Sequence, residues 1–232
     1  MGERPIYFQP GEWFHCFNRG VNKRRIFMSP NDYKRFQSLL YACNSAEPIH
    51  VSNYERGYRS KTLHSVLKLP RKTQLVDIGA YSLMPNHYHL LLRENVDGGL
   101  TSFMRKIGTA YTMYFNIRYE RSGALYQGAF KAKHVRTDSY FERLLSYIHG
   151  NHAELSEPRW RQGVIGNEYE LVKYIVSYPY ASLRDYVGDS RAESAIVNTH
   201  SILDIVDRIP SPNKILSDAR TFARQHADEA EM

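Results

Sequence analysis

Two runs, "LVDIGAYSLM" (75–84) and "HYHLLLRE" (87–94), are separated only by Pro85 and Asn86, and this feature most restricts how the chain can fold. Both runs are rich in β-favouring residues and meet at a turn signal, so they predict an antiparallel hairpin. Successive strand side chains alternate between faces, which puts His87 and His89 on one face and Tyr88 on the other. Histidine is a costly residue in a buried strand because both ring nitrogens need partners. Two imidazoles side by side make half of a metal site. Ten histidines in 232 residues make a chance His-x-His triplet unsurprising, however, so the pair needs support from the rest of the chain.

Upstream, "EWFHCFNRGVNKRRIF" (12–27) begins with an aromatic, β-favouring stretch and turns basic after Gly20. It reads as a strand over about 13–19 followed by a positively charged loop. In "SPNDYKRFQSLLYACNSA" (29–46), Ser29 or Asn31 can cap a helix with Pro30 early in it. Tyr33, Phe36, Leu39, Leu40 and Cys43 give that helix an apolar stripe. Residues 50–74 are polar and basic without periodicity and read as an insertion or hairpin. After the central hairpin, Leu100, Phe103, Met104, Ile107, Tyr111, Tyr114 and Phe115 mark a second helix with Gly123 as its stop. "ALYQGAFKAKHVRT" (124–137) returns to a strand, and "DSYFERLLSYIHGN" (138–151) starts a further helix with Asp138 as cap and Glu142 near the first turn. The order strand, helix, strand, strand, helix, strand, helix predicts an α+β fold of ferredoxin-like or RRM-like kind, an antiparallel sheet with helices packed on one face. Beyond it, "ELVKYIVSYPYASLRDYVG", "HSILDIVDR" and "NKILSDARTFARQHADE" predict a mostly helical C-terminal extension with a frayed acidic end. The expected division is a sheet-bearing domain at 1–155 and the extension at 156–232.

The formal net charge of +7 and pI near 9.3 favour a polyanionic partner such as nucleic acid. Cys16 and Cys43 form no CxxC pattern and no disulfide framework, as expected for a reducing compartment. No apolar run approaches the roughly 20 residues of a membrane span, and the N-terminus lacks a signal-peptide pattern. The expectation is a cytoplasmic, nucleoid-associated protein that does not enter membranes.

On the helix beginning near Asp138, Phe141, Leu144, Leu145 and Ile148 mark the sheet-facing stripe and Tyr147 falls on its shoulder. If the helix survives Gly150, Asn151 lies four residues on and on the same side, while His149 points largely away. An amphipathic tyrosine at a core edge is the ordinary reading of Tyr147. The wider pattern changes this. From "HCFNRGVNKRRIF" through "SLMPNHYHLLL", "FMRKIGTAYTMYFNIRYERSGALYQGAFKA" and "SYIHGN" to "YPYASLRDYVG", roughly residues 13–188, the chain resembles the single-tyrosine HUH transposases, particularly the REP-associated tyrosine transposases.

The resemblance implies that His87 and His89 bind a divalent metal, Mg²⁺ or Mn²⁺, that Tyr147 is the nucleophile, and that Asn151 is a third ligand. It implies a single-stranded DNA endonuclease and strand transferase acting on hairpin-forming repeats through a covalent 5′-phosphotyrosine. Where the family commonly has Tyr-Ile-His-x-Asn-Pro, this chain has "YIHGNH"; proline would stop the helix, and His152 in its place raises His149 and His152 as lesser candidates for the third ligand. The basic clusters Lys23, Arg24 and Arg25, then Arg105 and Lys106, then Lys131 and Lys133 suit a groove for single-stranded DNA when interleaved with aromatics. A homodimer and a monomer both remain open. Two rival readings are a domesticated protein that holds DNA hairpins without cutting them and an RNA-binding sheet module, the latter lacking the glycine-aromatic strand signature.

Overall fold

The structure is a computed structural model that describes residues 6–47, 49, 63–188 and 190–226. Four strands, β1 (Trp13–Arg19), β2 (Val76–Met84), β3 (His87–Glu94) and β4 (Lys131–His134), form one antiparallel sheet in the order β2-β3-β1-β4. With helix α1 (Pro30–Ala42) between β1 and β2 and α3 (Gly99–Arg118) between β3 and β4, this is the ferredoxin-like arrangement. Among the described residues no helix is long and apolar enough to cross a membrane.

Alternation along the strands builds two cores. Phe14 and Cys16 of β1, Tyr88, Leu90 and Leu92 of β3, and Val76, Ile78, Tyr81 and Leu83 of β2 face α1 and α3. A register shift between Ile78 and Ala80 lets β2 keep its large residues on that face across the irregularity. Gly79 sits at the shift, where a Cβ would come within 2.4 Å of the Ile202 side chain and 2.8 Å of the Trp13 ring. Only glycine tolerates so close an approach. The opposite face, with Trp13, Ala80 and Leu91, packs on α4 (Asp138–Gly150) through Phe141, Leu144, Leu145 and Ile148.

This second face corrects the expectation of helices on one face. The chain after residue 155 supplies α5 (Glu168–Ser177), α6 (Arg184–Val187), α7 (Thr199–Leu203) and α8 (Pro212–Gln225), and Ile215, Leu216, Ala219 and Phe222 of α8 share one core with α4. A helical stripe tells that a helix is buried but not which face of the sheet buries it. Gly150 marks the closeness: a Cβ there would stand 3.0 Å from the Ala219 Cβ.

Boundaries differ in detail. Asp32 accepts from the Ser29 and Met28 amides, each at 2.8 Å, at the head of α1, with Pro30 as its first residue. Thr137 rather than Asp138 caps α4, accepting from the Tyr140 amide at 3.3 Å. The fourth predicted strand shrinks to Lys131–His134, while Leu125 and Gln127 make main-chain bonds to Val21 and Arg19. α3 ends at Arg118, before Gly123, with Glu120 in a positive-φ conformation. Of the insertion expected at 50–74, residues 50–62 lie outside the described residues and Leu63–Val66 forms a short helix, α2. The acidic end at 227–232 also lies outside them.

Candidate active site

The histidine pair opens β3, immediately after the Pro85-Asn86 turn. Register places His89 opposite Phe17 of β1 and Ser82 of β2, and His87 opposite Arg19 and Met84. Both imidazoles face α4 and both are buried. α4 continues through Gly150 into a 3₁₀ turn, Asn151–Leu155, so Tyr147 and Asn151 stay on one side of the helix. The ring centroids of His87 and His89 are 5.1 Å apart, and that of Tyr147 is 5.2 Å from His89. Asn151 Nδ2 lies 3.4 Å from His87 Nε2. The four residues separated by up to 64 positions in sequence therefore meet in space.

Hydrogen bonds fix the chemistry of the pair. Asn86 Oδ1 can only accept, so the 2.7 Å contact to His87 Nδ1 places the proton there and leaves the lone pair on Nε2. Burial, then the Arg19 and Arg161 guanidinium charges, pull the His87 pKa down to about 3, so the ring is neutral near pH 7. Burial holds the His89 pKa well below its ordinary value, with His87 and His15 adding to it. His89 Nε2 is buried and has no hydrogen-bond partner among the described residues. A buried, unsatisfied imidazole nitrogen beside a second one with its lone pair turned inward fits a divalent cation.

Among the described residues no group of three or more His, Cys, Asp or Glu is placed to hold a metal ion. The Asn151 amide, the third ligand that the resemblance implies, lies beside the pair. Its Oδ1 accepts from Arg161 Nη2 at 2.8 Å, and Arg161 also pairs with Glu154 at 2.9 Å. The substitute ligands are engaged elsewhere. His149 Nε2 lies 3.0 Å from Ser182 Oγ, on the side of α4 away from the pair. His152 Nε2 donates to the Ile175 carbonyl at 3.0 Å, its Nδ1 is 3.4 Å from Ser82 Oγ, and its ring stacks on Tyr178 at 4.4 Å. His152 thus ties α5 to β2.

Tyr147 is fully buried, with the Phe222 ring of α8 stacked against it at 4.9 Å. Next to the site, a cavity of about 520 Å³ is walled by His87, Arg19, Lys23, Arg25, Glu154 and Arg161. Four cations to one carboxylate make it a basic mouth for an anionic ligand. Lys131 pairs with Phe17 and Lys133 with His15, so both project to the α4 face of the sheet edge, and Arg24 lies exposed in the same loop as Lys23. Arg105 and Lys106 sit on α3, against the other face, where Lys106 Nζ donates to the Ser45 carbonyl. Sequence reasoning missed Arg19, Arg161, Asn86 and His15. Asn86 and Arg19 adjoin residues already singled out; Arg161 lies in a stretch with no periodicity, and nothing in the local sequence points to it.

The chain is similar to known proteins in two comparisons. Residues 47–151 match the family model described as transposase IS200 like. A solved structure of a REP-associated tyrosine transposase bound to a REP hairpin is similar over 81% of this chain and 86% of that chain, with 15% identity and a TM-score of 0.48. No curated protein matches the chain.

Proposed function

We propose, from the match of residues 47–151 to the IS200-like transposase family model, that the chain is a metal-dependent nuclease and strand transferase for single-stranded DNA. The observation that carries the reading is the convergence of the Tyr147 ring on the His89 ring at 5.2 Å, beside a second buried imidazole and a basic mouth. In this reading residues 1–155 are the catalytic part, and 156–232 are an extension that covers it.

His87 Nε2, His89 Nε2 and the Asn151 amide oxygen would hold Mg²⁺ or Mn²⁺; imidazole donors make Mn²⁺ at least as suitable as Mg²⁺. A divalent cation bound there supplies positive charge against the phosphate, offsetting what builds up as the phosphodiester is attacked. Tyr147 Oη forms a bond to phosphorus as the bond to the 3′ oxygen breaks. The phenol loses its proton and the leaving oxygen gains one, so the products are a 5′-phosphotyrosine and a free 3′ hydroxyl. The covalent link conserves the bond energy for rejoining to another 3′ end. Arg19, Lys23, Arg25 and Arg161 steer and hold the strand at the mouth, and Lys131 and Lys133 extend this charge along the sheet edge. Arg24 adds to the loop, and Arg105 and Lys106 offer a second basic patch on α3. The motifs shared with REP-associated tyrosine transposases support a hairpin-forming repeat as substrate.

The test is covalent trapping. Purified protein with Mn²⁺ or Mg²⁺ and single-stranded DNA carrying a hairpin yields a protein–DNA adduct that survives denaturing electrophoresis, and Tyr147→Phe abolishes it. Retention of the adduct in that variant rejects the assignment. Salt-sensitive binding with no adduct under either metal would make the protein a hairpin-holding relative that does not cut.

A further inference from the structure

We propose that His15 is a positioning residue that decides which nitrogen of His89 is offered to a cation, doing through an imidazole what Asn86 does for His87 through an amide. The proposal rests on the reading of His87 and His89 as a metal pair. His15 lies on β1 two residues before Phe17, the partner of His89, so its side chain shares the α4 face with His89. Both rings are buried, their centroids are 5.1 Å apart at 25°, and His15 Nε2 is 2.9 Å from His89 Nδ1.

Two neutral imidazoles that face each other nitrogen to nitrogen share a single N–H. If His89 Nδ1 holds it, His15 Nε2 accepts, and His89 Nε2 carries a lone pair. If His15 Nε2 holds it, His89 Nε2 becomes a buried N–H, and no acceptor among the described residues meets it. A buried donor without an acceptor pays its full desolvation cost. A lone pair at the same place is satisfied as soon as a cation arrives. The chain therefore turns both Nε2 lone pairs inward, one fixed by Asn86 at 2.7 Å and the other by His15 at 2.9 Å. Hydrogen-bonding partners of this kind orient ligating histidines, and their loss weakens metal affinity by roughly 10- to 100-fold.

The experiment compares Mn²⁺ binding, by calorimetry on full-length protein without DNA, for the native protein, His15→Leu and His15→Gln, with melting curves for each. Leucine fills space and accepts nothing, whereas the glutamine amide oxygen can reach the position of Nε2. The expected result is about a 10- to 100-fold weaker Mn²⁺ affinity in His15→Leu, with most of it recovered in His15→Gln. Native-like affinity in His15→Leu overturns the proposal, as does equal weakness of both variants at unchanged melting temperature. Nitrogen NMR of the metal-free native protein supplies a readout independent of any variant's folding. A proton on His89 Nδ1 supports the proposal and a proton on Nε2 overturns it. Absence of Mn²⁺ binding by the native protein, with the proton on Nδ1, would instead reject the metal-centre reading and leave the His15–His89 relation standing.

Discussion

The ring of Phe222 lies against the ring of Tyr147, centroids 4.9 Å apart and 29° from parallel, so the last helix roofs the candidate nucleophile. A phenol with no exposed surface meets a phosphodiester only after local displacement of what covers it, and α8 is the element stacked on its ring. Phe222→Ala removes the roof and a large part of the α4–α8 contact. The expected cost in stability is about 3 kcal/mol or more, seen as a lower melting temperature. Well below that temperature the initial rate of adduct formation should rise, because less of α8 must move. A lowered melting temperature with an unchanged rate would mean that DNA reaches the phenol without displacing the helix.

Arg161 and Asn151 set a second expectation. Arg161 takes the Asn151 oxygen and carries a positive charge beside His87, both of which oppose a cation at the pair. Arg161→Gln should tighten Mn²⁺ binding in the absence of DNA by a few-fold, on the order of 1 kcal/mol for removing a nearby like charge at partial exposure. The same change should weaken DNA binding, because Arg161 also walls the mouth. Calorimetry with Mn²⁺ and a DNA titration check the two directions separately; a loss of Mn²⁺ affinity would show that Arg161 organises the site instead of competing with it.

The parts of this site that were legible in the sequence are those written in local periodicity. Alternation placed His87 and His89 on one strand face, and the helical stripe of Phe141, Leu144, Leu145 and Ile148 put Tyr147 beside them. What could not be read depends on contacts between distant segments. His15 matters through a neighbouring strand, Arg161 through a turn that folds back on Asn151, and α8 through its seat on α4. The stretch before Lys131 has strand-like residues, so the sequence predicts a longer strand there, yet among the described residues it pairs at isolated points, such as Gly20 with Tyr126. Asn86 reads in the sequence as a turn residue, which it is, but its side chain also holds His87.

The two basic surfaces should separate in salt titrations. Lys23 and Arg25 line the mouth beside His87, so a double change to glutamine should weaken binding of a short single strand and make its salt dependence shallower by about 0.7 in log–log slope per charge. Arg105 and Lys106 lie across the sheet on α3. Changing both should leave binding of that short strand as it was. Equal losses from the two pairs would place the strand on the wrong face for the Tyr147 site.

Asp77 provides a stability prediction independent of the chemistry. It is nearly buried on β2 and binds Arg93 across the sheet, with Arg93 Nε donating at 3.0 Å and Asn95 Nδ2 donating to its other oxygen at 3.1 Å. Burial alone would raise its pKa, but hydrogen bonds from Asn95, Asn198 and Arg93, together with the Arg93 charge, outweigh it and hold the value below the ordinary carboxyl range. A carboxyl whose folded pKa is depressed stabilises the fold fully above the pKa of the unfolded chain, near 4, and stops doing so as pH falls through the lower folded value. Asp77→Asn removes the charge while keeping the shape, so at pH 7 it should cost about 1.5–3 kcal/mol, the range for hydrogen bonds to a charged group. The difference between the variant and the native protein should shrink as pH drops below about 4. Denaturant melts at pH 7 and at successively lower pH check this. A difference that stays constant down to the acid limit would show that Asp77 acts by shape and neutral hydrogen bonding, not by its charge.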